Sequence, residues 1–311
     1  MSNAKIPVAK ISIQGKSLRE ILIAHSAWLE GRGGERVNLR GGNLADADLK
    51  KVDLRQAIIT GVGFLDADLS YADFGGAELN KCDFRNATLV RADFTGADLS
   101  EINFQHVLFS EASLSEAKMQ KLIFRDANMR DGRLYEVRMD SCDFTNANLN
   151  SAFFNHAIAS ECCFTEANLE KCNFRHTRLS SCRFTAAKLA NVNISTAQAI
   201  DCDFRGAELN SANLSQSNFT QSIFCRAAMT SCDFRESNLS AADFSGAVLV
   251  NSVFRDANVL ATDFRGSVLE GVRGFTGRQL AQAHTSFSTI LPSGTKGPFV
   301  AGKNSEVPVG R

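Results

Sequence analysis

The chain has 311 residues, with 34 basic and 34 acidic side chains and a formal net charge of zero. That balance excludes a broadly basic nucleic-acid binder and an acidic tail. No run of about 18 apolar residues is present, which excludes a membrane-spanning helix. The charge is unevenly placed: residues 1–36 carry 6 basic and 3 acidic side chains, residues 37–271 carry 23 and 30 (net −7), and residues 272–311 carry 5 and 1.

The N-terminus, "MSNAKIPVAKISIQGKS", holds Lys5, Lys10 and Lys16 but no continuous apolar stretch, so it does not read as a Sec signal peptide. With nine cysteines and no such signal, a reducing compartment is expected, and a cytoplasmic location with it. Export as an effector through a non-cleaved signal is compatible with the same residues. Within the first segment, 1–36, "SLREILIAHSAWLEG" predicts a capping helix over about 17–30. Ser17 and Glu20 have the S-x-x-E spacing of a capping box. Leu18, Ile21, Leu22, Ala24, Trp28 and Leu29 form an apolar face at helical spacing, with Trp28 expected to pack on the first layer of the next segment.

From Leu39 to Leu269 a bulky apolar residue returns at every fifth place. Of these 47 positions, 45 hold Leu, Phe, Ile, Met or Val, and only Ala159 and Ala199 depart. Two residues earlier the side chain is small (Ala, Cys, Ser, Thr or Gly) in 39 of the 47. Residues five apart on an α-helix are about 140° out of phase, so the bulky groups would wind over every face. On a flat strand an odd period would alternate sides. A period of five therefore needs a short extended piece and then a corner, with polar, turn-tolerant residues such as "RN" at 85–86 and "TG" at 95–96 at the bend.

Beyond the repeats, "FTGRQLAQAH" (275–284) predicts a second cap within 272–292, with Thr276 and Gln279 as a T-x-x-Q box and Leu280 inward. "STILP" (288–292) is expected to close the last layer. The stretch 293–311 is rich in Gly, Pro and Lys and reads as disordered.

The recurring A-(D/N)-(L/F)-x-x pattern, as in "NLADADLKKVDL" and "RADFTGADLS", resembles the pentapeptide-repeat family over about three-quarters of the chain. The resemblance implies an all-β solenoid, a right-handed quadrilateral β-helix, here with short helical caps at both ends. It has one pentapeptide per face and four per coil. By that rule residues 37–271 make nearly 12 coils, and at ~4.8 Å per strand a rod roughly 55 Å long. With 20 residues per coil, Phe64, Phe84, Phe104, Phe124, Phe144, Phe164, Phe184, Phe204, Phe224, Phe244 and Phe264 fall in one internal column. The bulky residues are then the filling of a narrow interior.

Chemistry-bearing residues have structural readings in this frame. Cys82, Cys142, Cys162, Cys172, Cys182, Cys202 and Cys232 occupy the small inward place, where a straight ladder does not converge on a metal. Cys163 and Cys225 are expected outward. His156 and His176 are 20 apart at an outward place, and could share a metal as only two ligands. His25, His106 and His284 show no partners in the sequence. Asp at the place before each bulky residue closes the corner through the backbone. Arg85, Arg205, Arg235 and Arg265 each follow such an Asp by two and suggest surface ion pairs. No catalytic motif, cofactor motif or metal set is present, and a filled interior leaves no pocket, so a non-enzyme is expected.

Apolar residues replace the expected Asp or Asn at Leu108, Ile123, Phe153, Ile158, Ile223, Val248, Val253 and Val268. Tyr135 with Phe153, and Val248 with Val268 and Val250, group by column and are candidate interaction surfaces. The leading expectation is a non-catalytic protein-interaction scaffold with a protein partner. A second comes from the resemblance, since some family members bind DNA gyrase or topoisomerase IV in place of DNA. Asp66, Asp68, Asp83 and Asp93, in the more acidic N-terminal half, would form the mimicking face. A secreted effector is a third. A homodimer through residues 245–290 is expected from the valines and from the family's C-terminal helices, with a fold-back of "TSFSTILPSG" as its competitor.

Overall fold

The computed structural model describes residues 5–300. Its contacts gather into two compact units, one ending at Phe153 and one beginning at Phe154.

In the first unit, short strands β1 (Ile6–Pro7), β2 (Ser12–Ile13) and β3 (Lys16–Ser17) precede α1 (Leu18–Leu29). The repeats then supply β4 (Asn38–Arg40), β5 (Ala47–Asp48), β6 (Ile58–Thr60), β7 (Glu78–Asn80), β8 (Asp98–Ser100), β9 (Lys118–Gln120) and β10 (Arg138–Asp140). Except for β5, which pairs with β1, these repeat strands run parallel in one ladder, each residue opposite the one 20 later: Leu39 faces Ile59, and Leu79 faces Leu99. The other faces close by single bridges with the same offset, such as Asp83 to Asn103 and Asp73 to Asp93. One coil is thus 20 residues, and the chain is a β-solenoid of four-sided coils.

The second unit repeats the pattern in β11 (Ile158–Ser160), β12 (Arg178–Ser180) and β13 (Gln198–Ile200), and later coils continue it by bridges. α2 (Gly277–Leu280) comes after them.

Each interior is built from rings. In the first unit Phe64, Phe84, Phe104, Phe124 and Phe144 are fully buried, and successive centroids lie 4.4, 5.0, 4.8 and 5.0 Å apart. In the second, Phe164, Phe184, Phe204, Phe224, Phe244 and Phe264 stack at 4.9, 4.7, 4.8, 4.7 and 5.3 Å. Rings from the opposite face meet these columns edge-on, as Phe74 meets Phe84 at 81° and Phe174 meets Phe184 at 87°. Stacking along the axis and edge-to-face contact across it are the two favoured aromatic geometries. A lattice of both explains why Phe recurs on opposite faces.

The corners carry a backbone conformation that the composition conceals. The residue two after each bulky one has positive φ, as in Asn86 (58°), Glu116 (60°), Asp201 (55°) and even β-branched Thr196 (59°). Most such corners close with a turn bond, for instance Ala87 N–H to Phe84 O at 3.0 Å, the pattern of a turn with its third residue left-handed. Non-glycine residues pay a steric cost there of about 1–2 kcal/mol each, which the ladders on both sides of every corner outweigh. At the corner after β13's face the turn changes along the stack. Ser222, Ala242 and Thr262 donate N–H to Phe219, Leu239 and Val259 at 3.0–3.1 Å. The equivalent earlier corners hold Cys162, Cys182 and Cys202, whose thiols donate to the carbonyl two residues back, as Cys182 does to Ser180 at 3.5 Å.

The caps depart from the sequence expectations in particular ways. Ser17 is the N-cap of α1 but its side chain makes no capping hydrogen bond, and its backbone pairs with Ser12 through β3. On α1 the fully buried residues are Leu18 and His25; Ile21, Leu22, Ala24, Trp28 and Leu29 are half-buried. At the other end the Thr276–Gln279 box is formed in both directions and Leu280 is buried. Leu291 is buried and Ile290 continues the ladder from Val268. Residues 293–300 are ordered rather than disordered: Lys296 bridges back to Ile290, and the Phe299 N–H donates to Thr285 Oγ1 at 2.9 Å. The rest of the tail expectation, 301–311, lies outside the described residues.

Candidate functional site

The outward residues before and after each bulky one make the surfaces on which function must reside. Asp or Asn at the preceding place accepts the N–H two residues on, as Asp73 does from Gly75 and Asp93 from Thr95, both at 2.8 Å. Where Arg comes two residues later, it closes back on the same carboxylate. Arg85 reaches Asp83 at 2.7–3.0 Å, and Arg55 reaches Asp53 at 2.7–2.9 Å. Arg205, Arg235 and Arg265 repeat the clamp on Asp203, Asp233 and Asp263 at 2.5–3.0 Å. The Arg side chain holds the Asp53 and Asp83 carboxyls below the usual range, against their partial burial. At Asp203, Asp233 and Asp263 burial opposes ionisation most, and the Arg bonds outweigh it.

The four positions expected to form an acidic face are therefore not a free array of charge. Asp68 binds Ser70 and pairs with Lys50 at 3.1 Å, Asp83 is clamped by Arg85, and Asp93 accepts the Thr95 hydroxyl and N–H. Asp66 sits half-buried at a corner with φ 56°. The corner geometry that uses Asp at the place before the bulky residue turns its carboxylate to the backbone.

The apolar candidates separate. Tyr135 and Phe153 stack with centroids 5.6 Å apart and are 37% and 38% exposed, an aromatic pair standing on one face. Val248 bridges Val268 in one column and is 39% exposed, whereas Val250 and Val268 are half-buried. Val268 is succeeded in the ladder by Ile290, so part of the valine column is covered from within the chain.

The histidines are only partly legible in the sequence. His25 is fully buried: its Nδ1 accepts the Val37 N–H at 3.0 Å and its Nε2 lies 3.0 Å from Arg55 O. It stacks on Trp28 at 5.7 Å and docks α1 on the first coils, the task expected of Trp28. Burial pushes its pKa below the usual value. Its position four residues after Ile21, on the apolar face of the helix, was the available signal. His106 has a partner, Asp126, at 3.8 Å. His156 and His176 stack at 4.9 Å. Among the described residues no group of three or more His, Cys, Asp and Glu could hold a metal. Cys82, Cys142, Cys162, Cys172, Cys182, Cys202 and Cys232 are buried and Cys163 and Cys225 half-exposed. Burial pushes the Cys232 thiol up to about 12, and bonding to Cys182 together with burial raises Cys202, so neither is a ready nucleophile.

Family models for pentapeptide repeats match residues 35–63, 67–105, 92–131, 202–240 and 232–271, and a pentapeptide repeat region model matches 137–214. The chain belongs to the pentapeptide-repeat family. Among solved structures it is similar to HetL, a pentapeptide repeat protein involved in heterocyst differentiation regulation from the cyanobacterium Nostoc sp. strain PCC 7120, at 21% identity over 92% of this chain and 100% of that one, with a TM-score of 0.28. It is also similar to a trypsin-treated form of QnrB1, a plasmid-mediated fluoroquinolone resistance protein, at 16% identity over 57% and 92%, TM-score 0.30. A pentapeptide repeat protein of the Arabidopsis thaliana thylakoid lumen matches at 21% over 40% and 86%, TM-score 0.23. No curated protein matches the chain.

Proposed function

We propose that this protein is a non-catalytic protein-interaction scaffold working in the cytoplasm of a bacterial cell. The observation that carries this reading is the exposed Tyr135–Phe153 stack, in which Phe153 stands where the repeat asks for Asp or Asn. Tyr is among the residues that dominate interface energetics. Loss of partner retention in a Tyr135→Ser/Phe153→Ser variant tests it.

DNA mimicry at gyrase or topoisomerase IV is the second reading, favoured by the column Asp53–Asp73–Asp93, whose members bridge one another across successive coils. Duplex DNA carries one charge per ~1.7 Å, and the clamps on Asp53 and Asp83 reduce what this face offers. A supercoiling assay with and without a quinolone separates the two. Protection that disappears when Asp66, Asp68, Asp83 and Asp93 become Lys favours mimicry, and no effect at micromolar protein removes it.

A homodimer through 245–290 is the assembly we propose, with Val248 at its centre. Light scattering should give twice the chain mass, and Val248→Asp should return a folded monomer. A wild-type monomer at tens of micromolar would leave the cover by Ile290 as the whole explanation of the column.

A further inference from the structure

The acidic character of the repeats is interrupted in one stretch. Residues 171–200 contain Lys171, Arg175, Arg178, Arg183 and Lys188 and no Asp or Glu. Two of these cations flank a single corner, Arg175-His176-Thr177-Arg178, and both are exposed.

Arg175 occupies the place at which Arg55, Arg85, Arg205, Arg235 and Arg265 are clamped. The residue two before it, however, is Asn173, which accepts the Arg175 backbone N–H at 3.1 Å and offers no charge. Among the described residues no ion pair or side-chain hydrogen bond holds the guanidinium of Arg175 or of Arg178. His176, between them, stacks on His156 of the preceding coil. Its Nδ1 lies 2.8 Å from Thr196 Oγ1. The Thr196 hydroxyl is also 2.5 Å from Ser195 O, and among the described residues no hydrogen bond engages His176 Nε2.

A divalent cation is excluded by this arrangement. Two imidazoles stacked in parallel do not converge on one ion, and two uncompensated guanidinium groups repel it. The same features suit an oxyanion. Guanidinium groups pair with phosphoryl oxygens through two parallel N–H bonds, and the imidazole Nε2 beside them is a further polar atom for a phosphoryl oxygen or hydroxyl. We propose that Arg175, Arg178 and His176, seated on His156 and Thr196, form a binding site for a phosphoryl oxyanion, free or carried on a phosphorylated protein segment. The site is independent of the apolar surfaces at Tyr135–Phe153 and Val248.

Calorimetric titration of the full chain with inorganic phosphate, with a short phosphoserine peptide and with its unphosphorylated form tests this at constant chloride. Saturable binding of phosphate is expected, with none of the unphosphorylated peptide. Tighter binding of the phosphopeptide assigns the ligand to a protein; equal or weaker binding assigns it to the free anion. Asn173→Asp restores the clamp found at five other coils and should weaken binding about tenfold while Arg175 remains present, as should Arg178→Gln. Arg205→Gln, which disrupts a clamp outside the site, should leave binding unchanged. Absence of saturable phosphate binding, or equal binding by a folded Asn173→Asp variant, would overturn the proposal.

Discussion

The Arg85 guanidinium closes on the carboxylate of Asp83, two residues back across the bulky Phe84, with Nη2 2.7 Å and Nε 3.0 Å from Oδ2. The clamp recurs at four other coils and sets a pH dependence. A carboxyl whose native pKa lies below its unfolded value of about 3.9 contributes stability above that value, and the contribution is lost as pH falls through the native one. Melting temperature should therefore drop steeply below about pH 4. A variant with Arg55, Arg85, Arg205, Arg235 and Arg265 changed to Gln should show a shallower fall over the same range. Parallel curves would show that the clamps do not stabilise the fold.

Asp73 has the opposite sign. Burial, with Asp93 and Asp53 on either side of it, raises its carboxyl. The folded form then binds its proton more tightly than the unfolded chain does, and stability falls as pH rises through the window above about 3.9. Asp73→Asn keeps the oxygen that accepts the Gly75 N–H and removes the charge. It should raise the melting temperature at pH 7 and have little effect below about pH 3.5.

His25 makes the N-terminal cap acid-sensitive well above that range. Its Nδ1 accepts the Val37 N–H, which only the neutral ring can do. Because the native pKa is lowered, the stability it contributes is complete above about 6.5 and is lost as pH falls from there toward the lowered value. Trp28, the sole tryptophan, stacks on His25 and reports the event. Its fluorescence should change on acidification from about pH 7 to 5, before far-ultraviolet dichroism does. A His25→Gln variant should show no such early step, and an unchanged Trp28 signal in wild type across that range would contradict the assignment.

Phe184 tests the interior. It is fully buried and stacks on Phe164 at 4.9 Å and Phe204 at 4.7 Å, each at 4°. Phe184→Ala should cost about 3–5 kcal/mol in chemical unfolding. A stability within error of wild type would show that the column does not carry the fold.

The inward filling was legible in the sequence from the five-residue period, while the four-sided coil was what the resemblance to the pentapeptide-repeat family implied. A bulky group every five residues, with a small one two before, points both inward, and the rings from Phe64 to Phe144 and from Phe164 to Phe264 are buried. The corners were less legible: Asn, Glu, Ser and Thr take positive φ there as well as glycines such as Gly76 and Gly96, so glycine alone does not mark them. Surface chemistry was least legible. Whether Asp83 is a free charge depends on Arg85 turning back to it, and whether Arg175 is free depends on an amide replacing a carboxylate at Asn173. The place of His25 on the apolar face of α1 was legible, but its partners were not, because Val37 and Arg55 lie 12 and 30 residues away.

The scaffold reading is tested most directly by quantitative partner retention from the native host's lysate, comparing wild type with a Tyr135→Ser/Phe153→Ser variant of equal melting temperature. The account predicts a defined protein retained by wild type and lost from the variant, and direct binding of that purified protein to wild type alone. Equal retention of every protein by the two would contradict the claim that this aromatic pair is an interaction surface.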